Sequence, residues 1–396
     1  MNVILFDNPA IRQDLLPFTF TRPVADIRVG ILKLSEKWEK ILQAKPSFST
    51  EAFLSAKFPV QFTDDNLWIN GAVCPDAKLV AAIHTLNHGD AIAKDNMILA
   101  VRTAEHEIPE IIKGTTHEFI HPIILIDQVW KIYQYNGAQI KVDFELITRG
   151  RKSAPIQDVH TRVYAPENIF LEEGAQVKAA LLNAENGPIY LGKDSFVQEG
   201  ALIRGPFALC ESSHVNMSAK VRGDTTVGPF SKIGGEVSNS VIFGYSNKSH
   251  DGFLGNSVIG EWCNIGADTN TSNLKNNYEN IKIWNYTKGA FKDTGLMFCG
   301  LMFGDHSKCG INTMFNSGTV VGVSASIFGA GYPRNFIPSF SWGGAAGFTT
   351  YLLHKALETA AKAMERRSLA MTDIDKEILS YLFKESAKYR VWEKKS

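Results

Sequence analysis

His250 stands in Lys248-Ser249-His250-Asp251-Gly252-Phe253-Leu254-Gly255, a short segment that places a carboxylate beside an imidazole. An imidazole with an ordinary pKa of about 6.5 accepts a proton at neutral pH, so His250 is a candidate general base for an ammonium that must become a nucleophile. Asp251 is placed to orient its ring; without chemistry, the same residues make a solvated turn. Arginines offer a second kind of chemistry. Arg12, Arg22 and Arg28 near the N-terminus, and Arg222 in mid-chain, carry planar forks that match phosphate oxygens. Their alternative is structural: ion pairs with Asp14 and Asp26 for the first group, a solvated corner charge for Arg222.

Metal chemistry has weaker support. His117-Glu118-Phe119-Ile120-His121 matches H-E-x-x-H, which binds zinc only when both histidines share a helix face. Pro122 disfavours helix at His121, and Ile123 to Ile126 reads as a strand. His84 and His88 are helix-spaced but lack a third ligand. Cys74, Cys210, Cys263, Cys299 and Cys309 are odd in number and scattered, with neither a disulfide framework nor a CxxC pair. No metal site is expected, and a reducing cytoplasm fits these thiols.

The chain around these residues has 396 positions, more than one hydrophobic core usually spans, so two domains are the prior. Lys plus Arg and Asp plus Glu balance at 41 each, which gives no electrostatic footprint for nucleic acid or an anionic membrane. An apolar fraction of 44% excludes disorder over most of the length. The longest apolar runs are far too short for a bilayer, and Met1 to Asp7 reads as a buried first strand, not a signal peptide.

A sixfold repeat organises the middle. Leu191, Val197, Ile203, Leu209, Val215, Val221, Val227 and Ile233 follow one another at intervals of six. The period breaks at Gly234, returns at Phe253, Ile259 and Ile265, breaks again at Thr271, and resumes through Met297, Phe303, Cys309, Phe315, Val321 and Ile327. Six fits neither the helix period nor the strand period. It fits a parallel β-helix of hexapeptides, with one inward apolar residue per short flat strand. The pattern resembles the left-handed β-helix of hexapeptide-repeat acyltransferases. That resemblance implies a homotrimer with active sites between prisms, and the two breaks, 234–252 and 271–296, are expected to be loops on the binding face. A likeness to the γ-type carbonic anhydrases is weaker, because His214, His250 and His306 lack the paired spacing that their shared zinc requires.

The flanks differ. Residues 1–153 alternate apolar runs (Val3 to Phe6, Leu67 to Ile69, Ile123 to Ile126) with helical stretches (Val29 to Gln43, Leu79 to Leu86), an α/β pattern that ends in a linker at Gly150 to Pro155. The β-helix is placed at 154–345. Residues 346–396 form C-terminal helices, one with Ala356, Ala360 and Met364 on a face, the next starting at Thr372-Asp373; no chemistry is read in them.

An α/β domain ahead of such a β-helix is similar to the family of N-acetylglucosamine-1-phosphate uridyltransferases/glucosamine-1-phosphate acetyltransferases. Leu16-Pro17-Phe18-Thr19-Phe20-Thr21-Arg22-Pro23 resembles the stretch after the first loop of the nucleotidyltransferase domain. The family's G-x-G-T-x-M loop, whose glycines let backbone amides close on a triphosphate, is replaced by Asp7 to Asp14, and the first glycine of the chain is Gly30. The resemblance therefore implies a divergent front domain, in which Arg12 and Arg22 are the candidate phosphate ligands. Mg2+ and a nucleoside triphosphate follow only if that domain is active.

The second resemblance is local. His250 precedes Leu254-Gly255 by four residues, and Asn264-Ile265-Gly266-Ala267 follows, as in the family's acetyltransferase domain. It implies His250 as base, Asn264 and Asn273 as substrate contacts, Ala267 at the acetyl-CoA thioester and Arg222 on a sugar phosphate. Arg334 near the last coil is a further candidate for coenzyme phosphates. A family lysine after Gly234-Gly235 is missing, and a family tyrosine is Phe253 here, which leaves the sugar open. The expected activity is acetyl transfer from acetyl-CoA to the amine of a sugar phosphate or nucleotide sugar. The alternatives are an active sugar-1-phosphate nucleotidyltransferase with the β-helix as trimerising scaffold, or a non-catalytic scaffold.

Overall fold

The computed structural model describes residues 2–108 and 112–393. Two compact units result: residues up to Ile27 with Leu32–Gln128, and Arg28–Ile31 with Val129 onward.

The first unit holds a six-stranded mixed sheet in the order Ser47–Ser49, Asn2–Phe6, Asn66–Asn70, Met97–Thr103, Ala91–Lys94, Thr116–Glu118. Asn2–Phe6 pairs in parallel with both neighbours, so it is covered on two faces and reads as one apolar run. Helices Leu34–Leu42 and Ala77–His84 accompany the sheet. The helix expected from Val29 starts only at Leu34. Gly30 has φ of 87°, outside the helical region, and residues 28–31 belong to the second unit. There Asn136 accepts from the Gly30 amide at 2.7 Å and Asp143 from the Ile31 amide at 2.8 Å. The strand expected at Ile123 to Ile126 shrinks to one bridge, Leu125 to Val73. His117 and Glu118 are instead on the exposed strand Thr116–Glu118, so the H-E-x-x-H residues do not share a helix face.

The second unit opens with helices Val129–Gln134 and Asn136–Thr148. A boundary at 153 counts them with the front domain, yet Asn136 donates to the Asp224 carbonyl at 2.9 Å and to Thr226 Oγ1 at 3.0 Å. The parallel solenoid follows. Three sheets wrap one narrow core; most strands send one side chain inward, and Ile169–Leu171, Ile189–Leu191 and Phe207–Leu209 send two. The first face stacks Val163, Leu182, Ile203, Val221, Val237 and Leu254. The second stacks Leu191, Leu209, Val227, Ile242, Ile259, Phe303 and Val321. The third stacks Val177, Val197, Val215, Ile233, Lys248, Ile265, Cys309 and Ile327. The coil is a parallel solenoid built on the hexapeptide period.

Of the two breaks, only the second is an excursion. Strands Glu236–Ser238, Val241–Gly244 and Asn247–Lys248 continue all three sheets through the first. Its corners are shortened, so the inward residues Ile233, Val237, Ile242 and Lys248 fall at intervals of four, five and six. The register then places Leu254 inward, not Phe253. Residues 272–300 do leave the coil and carry the antiparallel hairpin Lys282–Asn285/Ala290–Asp293, and Met297, expected inside, is 43% exposed.

After the last coil, the hairpin Ser341–Gly344/Gly347–Thr350 leads to helices Leu353–Glu365 and Asp373–Glu385. Thr372 and Asp375 cap the second reciprocally, as its sequence indicates. Phe383 packs edge-on against Phe340 at 5.1 Å between centroids, so this tail covers the open end of the core.

With a core one side chain wide, removing an inward residue leaves a cavity that neighbours cannot fill. Ile203→Ala should lower stability by about 2–5 kcal/mol in urea unfolding, whereas Arg204→Ala on the outward side should stay within about 0.5 kcal/mol. Equal effects would contradict the assigned register.

Candidate functional site

Third-face strands alternate an outward and an inward residue, so the register that buries Ile233, Lys248, Ile265 and Cys309 turns Lys232, Asn247, Asn264 and Lys308 outward. These four line a cleft of about 670 Å³ with the corner residues His250 and Ala267. Tyr245 and Trp262 supply another wall. They are the middle members of a ladder in which Phe230, Tyr245, Trp262 and His306 stack at 5.1, 4.2 and 6.3 Å, all four with positive φ at successive coil corners. The remaining wall is the C-terminal helix Leu353–Glu365 and the turn after it, through Thr359, Lys362, Ala363, Arg366 and Arg367.

The electrostatics are one-sided. Lys232, Lys308, Lys362, Arg366 and Arg367 face this volume, and none of the described lining residues is acidic. Lys362 is partly offset by Glu358 at 2.7 Å, one turn away on the helix. Burial, then the neighbouring Arg366, holds the Arg367 guanidinium below its ordinary pKa, and burial likewise lowers the Lys308 ammonium. Arg367 also donates to Asn247 Oδ1 at 3.0 Å, which ties the tail to the third face. Like charges gathered in a half-closed cleft favour an anion.

The His250 corner is tightly held. The Ser249 carbonyl accepts from Asn216 Nδ2 at 2.8 Å, and the Gly252 carbonyl from the Glu236 amide at 3.2 Å. The His250 and Asp251 carbonyls accept from Lys248 Nζ at 2.6 and 3.1 Å, and Asp251 O also accepts from the Asp268 amide at 3.1 Å. Beneath lies the Gly234-Gly235 corner. A Cβ on Gly235, whose φ is 69°, would sit 2.7 Å from the Gly252 carbonyl oxygen.

Of the sequence candidates, His250, Asn264 and Ala267 come together here. Arg222 lies on the first face, 72% exposed along its side chain and 3.2 Å from Glu236. Asn273 donates to Asn256 Oδ1 at 2.8 Å at another corner. Arg334 lines a separate cleft of about 970 Å³ with Trp284, Phe291, Tyr389 and Trp392. None of these three lines the His250 cleft.

In the first unit, Arg12 and Arg22 are 5% and 2% exposed. Arg12 pairs with Asp7 at 2.7 Å, not with Asp14, and donates to the carbonyls of Thr19 and Arg22. Arg22 lies 3.5 Å from Asp26. Asp7 accepts in addition from Thr50 and the Val24 amide. Helix Pro9–Asp14, which replaces the glycine loop, has its first amides capped by Asn8. As placed, this carboxylate and these guanidiniums are spent on one another and do not fit a triphosphate with Mg2+. Arg28 donates to the Phe243 carbonyl at 3.3 Å within the second unit.

Sequence reading passed over Lys248 and the basic tail. An aliphatic residue is expected at the inward position, and shifted corners concealed that Lys248 occupies it. Thr359, Lys362, Ala363 and Arg366 form a helical stripe beside the buried Ala356, Ala360 and Met364; its spacing was visible, but nothing in it named a partner.

Residues 3–152 match the family described as sugar nucleotidyl transferase. A bifunctional sugar-1-phosphate nucleotidylyltransferase/acetyltransferase of Sulfurisphaera tokodaii is 31% identical over 144 residues, 36% of this chain and 35% of that protein. The bifunctional protein GlmU of Wolbachia pipientis is 27% identical over 224 residues, 49% of this chain and 50% of the relative. The chain thus spans about a third to a half of the length of the relatives it matches. Among solved structures, LpxA, a UDP-N-acetylglucosamine acyltransferase from Bacteroides fragilis, covers 60% of this chain and 85% of its own at 12% identity, with a TM-score of 0.26. The polySia-specific acetyltransferase NeuO covers 59% and 93% at 14% identity, with a TM-score of 0.25.

Burial of Lys248 makes a prediction about pH. Desolvation lowers its pKa from 10.5 to about 8 in the fold. The unfolded chain then binds more protons between those values, so this residue's contribution to stability improves as pH rises from about 8 to 10.5. Lys248→Met should melt higher than the natural protein at pH 7, with the gap narrowing toward pH 10.5. A constant gap would contradict the burial.

The relatives are transferases, and this chain is similar over part of its length to bifunctional sugar nucleotidyltransferase/acetyltransferases, with residues 3–152 matching the sugar nucleotidyl transferase family.

Proposed function

We propose that the second unit is an acetyl-CoA-dependent N-acetyltransferase acting on an amino-sugar phosphate or a nucleotide-linked amino sugar. The observation that carries this reading is the convergence of His250, Asn264 and Ala267 in one cleft whose charged lining is cationic. Acetyl-CoA is a polyanion with an aromatic base, and the cleft offers five cations beside an indole and a phenol. In the reaction, His250 removes a proton from the substrate ammonium. The freed amine attacks the thioester carbonyl, and the C–S bond breaks to release coenzyme A as its thiol. Asn264 is placed to donate to the oxyanion formed on the way, and the backbone at Ala267 to meet the thioester.

The assembly we propose is a homotrimer in the cytoplasm. Leu202, 48% exposed on the first face, and Met217, 66% exposed at a corner, are apolar surface that another chain would cover, and the five cysteines are buried thiols that form no disulfide. No helix among the described residues is long and apolar enough to cross a membrane. We read the front unit as a divergent nucleotidyltransferase that does not turn over nucleotide, because Arg12 and Asp7 satisfy one another.

Thiol release from acetyl-CoA with glucosamine 1-phosphate should occur in the natural protein and fall about 100-fold or more in His250→Ala. No release, with acetyl-CoA still bound, would mean a different amine; no release and no binding would overturn the reading. Arg366→Glu should raise the acetyl-CoA KM roughly tenfold while leaving kcat within about twofold, since it removes ground-state attraction alone. An unchanged KM would separate the tail from the donor site.

A further inference from the structure

We infer that Lys248 is a positioning residue: its ammonium, set in the aliphatic column of the third face, fixes the corner that presents His250. The inference rests on the reading of His250 as the base. Lys248 pairs with Ile233 below, precedes Ile265 above, and is 3% exposed. Its place in the hexapeptide register belongs to a valine or isoleucine, and an aliphatic residue would fill it without desolvating a charge.

What the lysine supplies follows from corner length. Ile233 and Val237 are four residues apart across Gly234-Gly235, whereas Lys248 and Leu254 are six apart. The two extra residues of backbone bring carbonyls that the neighbouring coils do not fully satisfy. An ammonium has three donors on one atom, and Nζ meets the carbonyls of His250 and Asp251 at once, at 2.6 and 3.1 Å. The other two carbonyls, of Ser249 and Gly252, are taken by Asn216 and by the Glu236 amide. All four peptide planes of the corner are therefore anchored, and the direction of the His250 side chain is set from within the coil. The acidic groups nearest the ammonium are Asp251 and Asp268, with the Cys309 thiol. This is stability given up for placement.

The test compares Lys248→Met and Lys248→Leu with the natural protein. Both should fold and melt at the same temperature or higher at pH 7, because a buried charge is removed. Both should lose about 10- to 100-fold in kcat for thiol release, with KM for either substrate changed less than about threefold. A crystal structure of the methionine variant should show the His250 and Asp251 carbonyls turned away from the coil axis and the imidazole displaced. Val197→Ala, three coils back in the same column and away from the cleft, should melt lower yet keep its kcat within about twofold, which a purely structural role for Lys248 would not allow. Full kcat in the lysine variants, an unmoved corner, or failure of both to fold would each overturn the inference. If the natural protein neither releases thiol nor binds acetyl-CoA, the acetyltransferase reading fails instead, and the corner of the variant structure still decides whether Lys248 holds it. Reductive methylation of the natural protein gives a check without a variant: Lys248 should react at least about tenfold more slowly than exposed Lys220, and equal rates would contradict the anchoring.

Discussion

A narrow core, fed by one inward side chain from most strands and by two from Ile169–Leu171, Ile189–Leu191 and Phe207–Leu209, is the constraint that governs the second unit. Its interior is a column one residue wide on each face, so each position has two vertical neighbours and little else. Burial supplies the cohesion, and parallel pairing between successive coils satisfies the backbone. Extra residues are looped out at a corner, as at 272–300, across which Ile259 still pairs with Phe303 and Ile265 with Cys309, or a corner is shortened to stay in step, as between Ile233 and Lys248. Corners and outward positions are then free to carry function. The His250 cleft uses both: outward Lys232, Asn247, Asn264 and Lys308 make its floor, and corner residues His250 and Ala267 its rim.

The two units satisfy their charges in opposite ways. In the first, Arg12, Asp7, Arg22 and Asp26 are arranged among themselves, and Asn8 caps the short helix where amides would have to stay open for phosphate. In the second, five cations surround a cleft without an acidic wall, held apart by the coil and by the tail helix. A protein that buries opposite charges together gains structure; one that gathers like charges around a volume gains affinity for what neutralises them. That contrast is the reason we propose the acetyl transfer in the β-helix.

The solenoid was legible because its inward residues recur strictly from Leu191 to Ile233, and that periodicity is a direct image of the core. Legibility failed where spacing changed while structure did not. With intervals of four and five, the count slipped to Phe253 although Leu254 is the inward residue, and a continuous run of coil read as a loop. The helix expected at Val29 failed for a tertiary reason, since Asn136 and Asp143 take the Gly30 and Ile31 amides and Gly30 turns the chain with φ of 87°. At the site, motif spacing brought His250, Asn264 and Ala267 to one cleft, whereas Arg222, Asn273 and Arg334 followed the same kind of spacing to other surfaces. The basic stripe of the tail could not be assigned from sequence, because only the fold lays it across the third face.

The central claim is that the cleft lined by His250 and the tail helix takes the acyl donor. A crystal structure with acetyl-CoA tests it most directly. The account predicts the thioester beside Ala267 and His250, with phosphates reaching Lys362, Arg366 and Arg367. Acetyl-CoA bound instead between Arg334 and Trp284, with the His250 cleft empty, would contradict it.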